Sequence, residues 1–425
     1  MTDTIFALSS GRPPAAIAVV RVSGPQAGAA GQAIVGGALP PPRMAALRRL
    51  RDAEGETLDQ ALILFFPGPA TATGEDLLEL HLHGGRAVVA AIEQELARQP
   101  GLRLAEPGEF TRRALLKGRL DLAQAEGLAD LLEAETDMQR RAALAMAEGG
   151  LSRLVTDWLD RLSMAAARVE AELDFGDEDE VERAAALDLP ALVAPVHAEM
   201  IEMLARPPVE RLRDGIVVVL AGPRNAGKSS LFNALLGRDA AIVTDIAGTT
   251  RDVLEASVVR AGIPFRLVDT AGLVEETADP VEAIGVARAR SLLDMADVLL
   301  WLGEPADAPH GALRIGSRMD ERQHEPSAFD HLLSIHDTRA IDALWAALSE
   351  RAKTALGDGT TIVPHERHRA LITSAAHELE LIDGTDLLID AEHLRLVNVA
   401  LAAILGRDAT EAMLDALFGR FCLGK

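Results

Sequence analysis

Apolar positions along this chain come in short runs up to about residue 118. They take a helical period from Leu120 to about Leu204, return to runs around Ile216, and become helical again beyond Pro364. In the first stretch, residues 17–22, 61–66 and 77–82 read as strands, the second ending at the Pro67-Gly68-Pro69 turn. Gly84-Gly85 then opens a helical stretch to Arg98, so this part predicts a compact mixed α/β domain. After Leu120 the texture is Ala, Leu, Glu and Arg. Leu151, Leu154, Val155, Trp158 and Leu162 form a stripe whose spacing predicts a bundle core rather than a cofactor box.

Residues 170–182 hold eight acids and no base, and predict a solvated helical connection; they lack the glycine spacing of a calcium loop. Pro207-Pro208 punctuates the chain. Strands and helices alternate from 213 to about 360, and helical texture returns through 377–382, 394–405 and 413–418. The pattern predicts a helical domain interrupted by an inserted α/β domain, with segments 1–118, 119–212, 213–363 and 364–425. Such insertion is tolerated where the ends of the inserted domain lie close together.

Composition narrows the reading. A length of 425 fits about three domains. The net charge of −23 arises wholly after residue 118, because residues 1–118 are neutral. That argues against nonspecific binding of nucleic acid, and a polyanion would need a local basic patch. Arg112, Arg113, Lys117 and Arg119 are one candidate patch, with a solvated helix face as the alternative. No apolar run reaches the ~18 residues of a membrane span. No basic region precedes an apolar run at Met1–Ser10, so no secretory signal is expected. Cys422 is the single cysteine, which excludes an intrachain disulfide and fits a reducing, cytoplasmic location.

The clearest chemistry lies at Gly222-Pro223-Arg224-Asn225-Ala226-Gly227-Lys228-Ser229, between the apolar run 216–220 and the amphipathic stretch 230–236. Strand, glycine loop and helix in that order are the context of a phosphate loop. Glycines let the backbone close around an anion, and the helix N-terminus offers it partial positive charge. Lys228 would neutralise the β and γ phosphates, and Ser229 would hold Mg²⁺. Asp269-Thr270-Ala271-Gly272 after the run 265–268 reads as the second signature, with the aspartate toward Mg²⁺ and the glycine N–H toward the γ-phosphate. Between them, Thr244-Asp245-Ile246-Ala247-Gly248-Thr249-Thr250 supplies a threonine for a switch loop.

Leu273 follows that glycine, so the glutamine that would orient the attacking water is missing from its usual place. Asn225 offers a side-chain carbonyl near the β/γ bridge, where a monovalent cation would do the work of an arginine finger. Glu282 can hold the water indirectly, or be an exposed helix acid. Where most GTPases carry Asn-Lys-x-Asp, this chain has Ser317-Arg318-Met319-Asp320. Asp320 can accept the guanine N1 and N2 protons and Arg318 can stack over the base, but Ser317 is too short to replace every asparagine contact. Ser334 is the candidate for the last base-contacting loop. The connection 303–311 is short for a parallel crossover, so a helix is expected to be lost there.

Together these residues resemble the tRNA-modifying GTPase family MnmE, also called TrmE, across essentially the whole chain. The resemblance also rests on Arg21-Val22-Ser23-Gly24, the run 74–80 (Gly-Glu-Asp-Leu-Leu-Glu-Leu), the run 117–126 beginning Lys117-Gly118-Arg119 and the terminal Phe421-Cys422-Leu423-Gly424-Lys425. It implies a fold of class α/β and α: an N-terminal α/β folate-binding and dimerisation domain, a discontinuous helical bundle and an inserted Ras-like P-loop domain. It implies a K⁺-stimulated GTPase that works as a homodimer with an MnmG-type flavoprotein using FAD and NADH. The pair would place an aminomethyl or carboxymethylaminomethyl group on the wobble uridine of tRNA, with carbon from a tetrahydrofolate derivative. By resemblance, Arg21, Glu79, Arg119 and Lys425 contact folate, and Ser229 and Thr250 bind Mg²⁺. Asn225, Thr244, Ile246 and Thr249 bind K⁺, Glu282 orients water, and Cys422 matches a cysteine implicated in the modification. Ser230, Asp245, Ala247, Gly248, Ala271 and Gly272 complete the GTP site. Leu82 stands where the family has a glycine, which predicts a shifted loop at His81–Gly85. Competing readings are a folate-dependent one-carbon carrier with a silent G domain, and a ribosome-assembly GTPase.

Overall fold

The structure, a computed structural model, describes residues 3–175, 188–206, 209–237, 254–270, 296–319, 325–356, 362–407, 410–419, 421 and 424. The chain divides into two compact units, one of residues 1–129, 147–166 and 395–425, the other of residues 130–146 and 167–394. Among the described residues no helix is long and apolar enough to cross a membrane.

The first unit is built on β1 (Thr4–Leu8), β2 (Ile17–Ser23), β3 (Ala46–Arg51), β4 (Thr57–Phe66), β5 (Leu77–His83) and β6 (Leu102–Leu104). They form one sheet in the order β3-β4-β5-β2-β1-β6, antiparallel except for the β1–β6 pair. Strand alternation sends Val20 and Val22 of β2 and Leu78, Leu80 and Leu82 of β5 to one face. There they pack with Ile34 of α1 (Ala27–Val35) and with Ile92 and Leu96 of α2 (Arg86–Arg98). Full burial of each such side chain stabilises by about 1.5–3 kcal/mol, so a one-residue slip that exposed the set is strongly disfavoured. Leu82 is therefore a core residue inside a strand, opposite Ala18, and the shifted loop expected at this place is not formed.

Behind the opposite face, Phe110 of α3 (Glu109–Leu116) packs with Ile5, Ala7 and Leu77. The start of α4 (Leu122–Glu133) packs through Leu122 and Ala125 against Leu414 and Phe418 of the helix Glu411–Phe418, and against Phe421. Two glycines permit this closure. A Cβ on Gly108 would lie 2.5 Å from the Phe418 carbonyl oxygen, and one on Gly424 2.2 Å from that of Leu8. Gly424 thus meets the end of β1. The predicted stripe lies on α6 (Gly150–Phe175), which follows α5 (Asp137–Ala147), with Leu151, Val155, Trp158 and Leu162 all buried. The acidic run continues that helix to Phe175; its remainder, 176–182, lies outside the described residues.

In the second unit, α7 (Leu189–Leu204) packs on α11 (Glu366–Glu380). Arg369 closes the C-terminal end of α7 by donating to the carbonyls of Leu204 and Arg206, each at 2.7 Å. After α8 (Val209–Asp214) comes a second sheet of β7 (Ile216–Ala221), β8 (Leu254–Arg260), β9 (Ile263–Asp269), β10 (Val298–Trp301), β11 (Leu313–Gly316) and β12 (His331–Leu332). The strand order is β12-β11-β10-β7-β9-β8, parallel except at the β8 edge. Every residue of β7 is buried, as a central parallel strand requires. Its core includes Leu231 and Phe232 of α9 (Lys228–Leu236) and Leu344 and Trp345 of α10 (Thr338–Leu356). The β10–β11 crossover has no α-helix, only a 3-10 turn at Pro305–Asp307. Both strands are four residues long. Each therefore rises only about 13 Å, a return the short connection spans without a helix.

Candidate nucleotide site and N-terminal cavity

The glycine loop leaves the C-terminal end of β7 and enters α9. Gly222 has φ 143°, and a Cβ there would come within 3.0 Å of the Leu302 backbone, so only glycine allows β10 to sit this close. Asn225 adopts the left-handed conformation at φ 60° and Gly227 caps α9 at φ 97°. Asparagine is among the few side chains that tolerate that geometry. Asn225 is exposed at the crest of the loop, Ala226 and Lys228 are buried, Ser229 is half-buried and Ser230 is exposed.

The Lys228 ammonium lies across the loop and donates to the carbonyls of Gly222 at 2.8 Å and Pro223 at 2.9 Å. Burial pushes its pKa below the ordinary lysine value, and the Asp269 carboxylate works against that shift. Asp269 is 1% exposed at the end of β9, in register with Leu220 of β7. Thr270 donates its hydroxyl to the Leu220 carbonyl at 2.8 Å, tying the second signature to the strand that feeds the loop. From β11, the Ser317 hydroxyl donates to the Ala226 carbonyl at 2.7 Å. Lys228, Ser229, Asp269, Thr270 and Ser317 therefore converge at the C-terminal edge of the parallel sheet, where open α/β sheets bind ligands. Oxygen donors of serine and aspartate suit a hard cation such as Mg²⁺. Ser334, at the end of the neighbouring strand, accepts from the His336 N–H at 3.3 Å. Thr244, Asp245, Ile246, Ala247, Gly248, Thr249, Thr250, Ala271, Gly272, Glu282 and Asp320 lie outside the described residues.

In the first unit, Arg21 of β2 and Glu79 of β5 face each other in register, and the Arg21 Nε donates to Glu79 Oε1 at 2.9 Å. The imidazole of His81 lies 3.2 Å from the other carboxylate oxygen. Arg21 lines a cavity of about 150 Å³ with Thr73, Leu77, Phe110, Thr111 and Leu120. Arg119 borders it, donating to the Thr71 carbonyl at 3.0 Å beside the wall formed by Ala72 and Thr73. Thr73 and Thr111 carry no local motif, and nothing in the sequence singles them out. Lys425 and Cys422 lie outside the described residues.

Of the four residues of the candidate basic patch, Lys117 and Arg119 are exposed, while Arg112 and Arg113 are engaged by acids. Arg113 is 1% exposed and donates to Glu75 at 3.0 Å, Glu109 at 2.9 Å, and the Asp3 side chain at 3.1 Å. Arg112 pairs with Glu411 and Asp415. Arg112 and Arg113 therefore add no free cation to that surface, because Asp3, Glu75, Glu411 and Asp415, all distant in sequence, meet them in the fold.

A central parallel strand feeding a glycine loop, with a lysine at the helix start and an aspartate on the adjacent strand, defines a phosphate-loop nucleotide-binding domain. Similarity to known proteins is more specific. The family described as "GTP-binding protein TrmE N-terminus" matches residues 4–119, and the "MnmE helical domain" matches residues 122–422. The tRNA modification GTPase MnmE of Erythrobacter litoralis is 54% identical over 428 residues, covering 100% of both chains. The one of Rhizorhabdus wittichii is 54% identical over 431 residues, covering 100% of this chain and 97% of its own. That of Novosphingobium aromaticivorans is 50% identical over 440 residues, with 100% of both covered. Among solved structures, the G domain of the T. maritima FeoB iron transporter is similar to 32% of this chain over 98% of its own, at 23% identity and a TM-score of 0.23. The chain belongs to the MnmE family: it is a GTPase acting in tRNA modification.

Proposed function

We propose that this GTPase modifies position 5 of the wobble uridine of tRNA together with an MnmG-type flavoprotein that uses FAD and NADH. A tetrahydrofolate derivative supplies the one-carbon unit, and K⁺ stimulates GTP hydrolysis. The observation that carries this reading is the N-terminal cavity with Arg21 and Glu79 at its edge, in a chain that also holds a phosphate loop. Its residues fit a pterin: Leu77, Phe110 and Leu120 give apolar walls, while Arg21, held by Glu79 beside the cavity, and the hydroxyls of Thr73 and Thr111 offer donors and acceptors. Arg119 and Lys425 are proposed to complete the folate contacts, and Cys422 to act in the modification. Bound folate would supply carbon at the formaldehyde oxidation level.

In the G domain, Lys228 holds phosphate charge and Ser229, with Thr250, holds Mg²⁺. Asn225 supports the cation reading because it stands exposed in the glycine loop, with its backbone in the left-handed conformation and its side-chain carbonyl open to a ligand. With Thr244, Ile246 and Thr249 it would hold K⁺, whose charge meets the charge developing on the leaving phosphate; Glu282 would orient water.

The decisive experiment is nucleoside analysis of tRNA from cells lacking the protein, expected to show loss of the modified wobble uridine. Unchanged wobble uridines defeat the assignment. Turnover of GTP by the purified protein is expected to be faster in K⁺ than in Na⁺ at equal ionic strength, and equal rates remove the cation.

We also propose that the first unit dimerises through its sheet. Leu47, Leu62, His81 and Val19 stand in register across β3, β4, β5 and β2. Leu47 and Leu62 are 56% and 44% exposed, and Ile17 on the same face 60%. Exposed apolar side chains gathered on one face of a sheet mark an interaction site. Sedimentation equilibrium is expected to report a dimer that Leu62→Glu converts to monomer; a wild-type monomer at micromolar concentration counts against it.

A further inference from the structure

The tie between Ser317 and the phosphate loop has a consequence for how the base is read. Ser317 begins the loop that leaves β11 at the C-terminal edge of the parallel sheet. Its position is fixed by close packing: a Cβ on Gly316 would lie 2.4 Å from Leu332 Cδ2 and 3.2 Å from the Phe329 ring. Arg318 then turns sharply, at φ 59°, and the Met319 N–H reaches the Leu333 carbonyl at 3.4 Å. A Cβ on Gly227 would lie 3.6 Å from Ser317 Oγ and 3.9 Å from Arg318 Nε, so this loop stands directly over the start of α9.

Ser317 Oγ and the Ala226 carbonyl oxygen are 2.7 Å apart. A carbonyl only accepts, so the serine must donate, and a hydroxyl has a single proton to give. The N7 and O6 atoms of guanine are both acceptors. While its proton is held by Ala226, Ser317 has none for either atom. An asparagine amide has two N–H donors, and at this place would hold the phosphate loop and still present one to the purine.

We propose that Ser317 is a positioning residue that fastens the base-reading loop to the phosphate loop, and that this GTPase consequently reads guanine without a contact to N7. The proposal rests on the binding of guanine nucleotide at this loop. The guanine N1 and N2 edge, which N7 does not touch, is then left to carry base selectivity.

The test uses the full chain with Mg²⁺ and compares equilibrium binding of GDP with that of 7-deaza-GDP, in which N7 is replaced by C–H. The two are expected to bind the wild type within about twofold of each other, because no hydrogen bond is lost. Ser317→Asn is expected to favour GDP over 7-deaza-GDP by about fivefold or more. Ser317→Ala is expected to weaken both nucleotides by about five- to tenfold and leave their ratio unchanged, which separates positioning from base contact. A wild type that disfavours 7-deaza-GDP by about tenfold overturns the proposal, since a hydrogen bond to N7 is then being made. So does a Ser317→Ala variant that binds both as tightly as the wild type. Failure of the wild type to bind either nucleotide removes the guanine-nucleotide reading itself, a different result from unequal binding.

Discussion

Lys228→Ala is expected to lower GTP turnover by roughly 10²–10³-fold, the usual consequence of removing one preorganised donor from developing transition-state charge. The loss follows from where the ammonium lies. It is 7% exposed, between the carbonyls of Gly222 and Pro223, at the first position of α9. Any triphosphate cradled by this loop meets that charge at the helix N-terminus, where backbone N–H groups already favour an anion. The same burial makes the lysine costly to the protein without nucleotide. Desolvation depresses its pKa and Asp269 only partly compensates. Thermal melting without nucleotide should therefore move little, or upward, in Lys228→Ala, while the stabilisation by added GDP shrinks sharply. A variant that keeps turnover within about threefold of the wild type removes Lys228 from the phosphate site. One that unfolds before nucleotide is added makes its role structural.

What the sequence disclosed and what it hid have separable causes. The phosphate loop was legible because its chemistry is local: Gly222 to Ser229 needs glycines at fixed offsets between a buried strand and a helix. Strands β2, β4 and β5 were legible because one face of each is packed. Strand β3 was not, because Ala46–Arg51 carries three arginines and lies at the edge of the sheet, where charge protects an open backbone. Helix α1 escaped because Ala27–Val35 is rich in small residues of little amphipathic signal. Gly31 sits close to the core there: a Cβ would fall 2.9 Å from Leu39 Cδ2 and 3.0 Å from Leu78 Cδ2. Within the candidate sites, the link from Ser317 to Ala226 spans 91 positions and that from Arg21 to Glu79 spans 58. No period or spacing reports such pairs; family resemblance named Arg21 and Glu79 as folate contacts but did not pair them.

The arginine misread from sequence as surface charge carries the second large effect. Replacing Arg113 by methionine is expected to destabilise the first unit by about 3–5 kcal/mol, read as a lowered urea midpoint at pH 7. The guanidinium is held by Asp3, Glu75 and Glu109, with Glu75 and Glu109 side chains 8% and 7% exposed. Removing the cation leaves two buried carboxylates short of charge compensation; filling its volume with an apolar chain does not repair that. Arg103 still pairs with Glu109 at 2.8 Å, which keeps the loss below that of a fully orphaned cluster. Acid separates this mechanism from simple repacking. Burial alone would raise the pKa values of Glu109 and Asp3, but hydrogen bonds from Arg103 hold both below the ordinary carboxylate range, joined at Glu109 by hydrogen bonds from the Glu106 N–H and Arg113, and at Asp3 by the charge of Arg113. A carboxylate with a depressed folded pKa stabilises above its unfolded value near pH 4 and ceases to as the pH falls through the folded value. The wild type should lose stability steeply below about pH 4, and Arg113→Met should lose less, so that the two converge in acid. Parallel curves, with the variant equally weaker at pH 7 and pH 3, would assign the loss to packing and not to charge. Because Glu75 also accepts from Ser23, whose hydroxyl lies 2.7 Å from that of Thr73, the same substitution reaches the cavity wall. Binding of a reduced folate should weaken in Arg113→Met even where the unit remains folded. Unchanged folate affinity would confine Arg113 to the stability of the sheet.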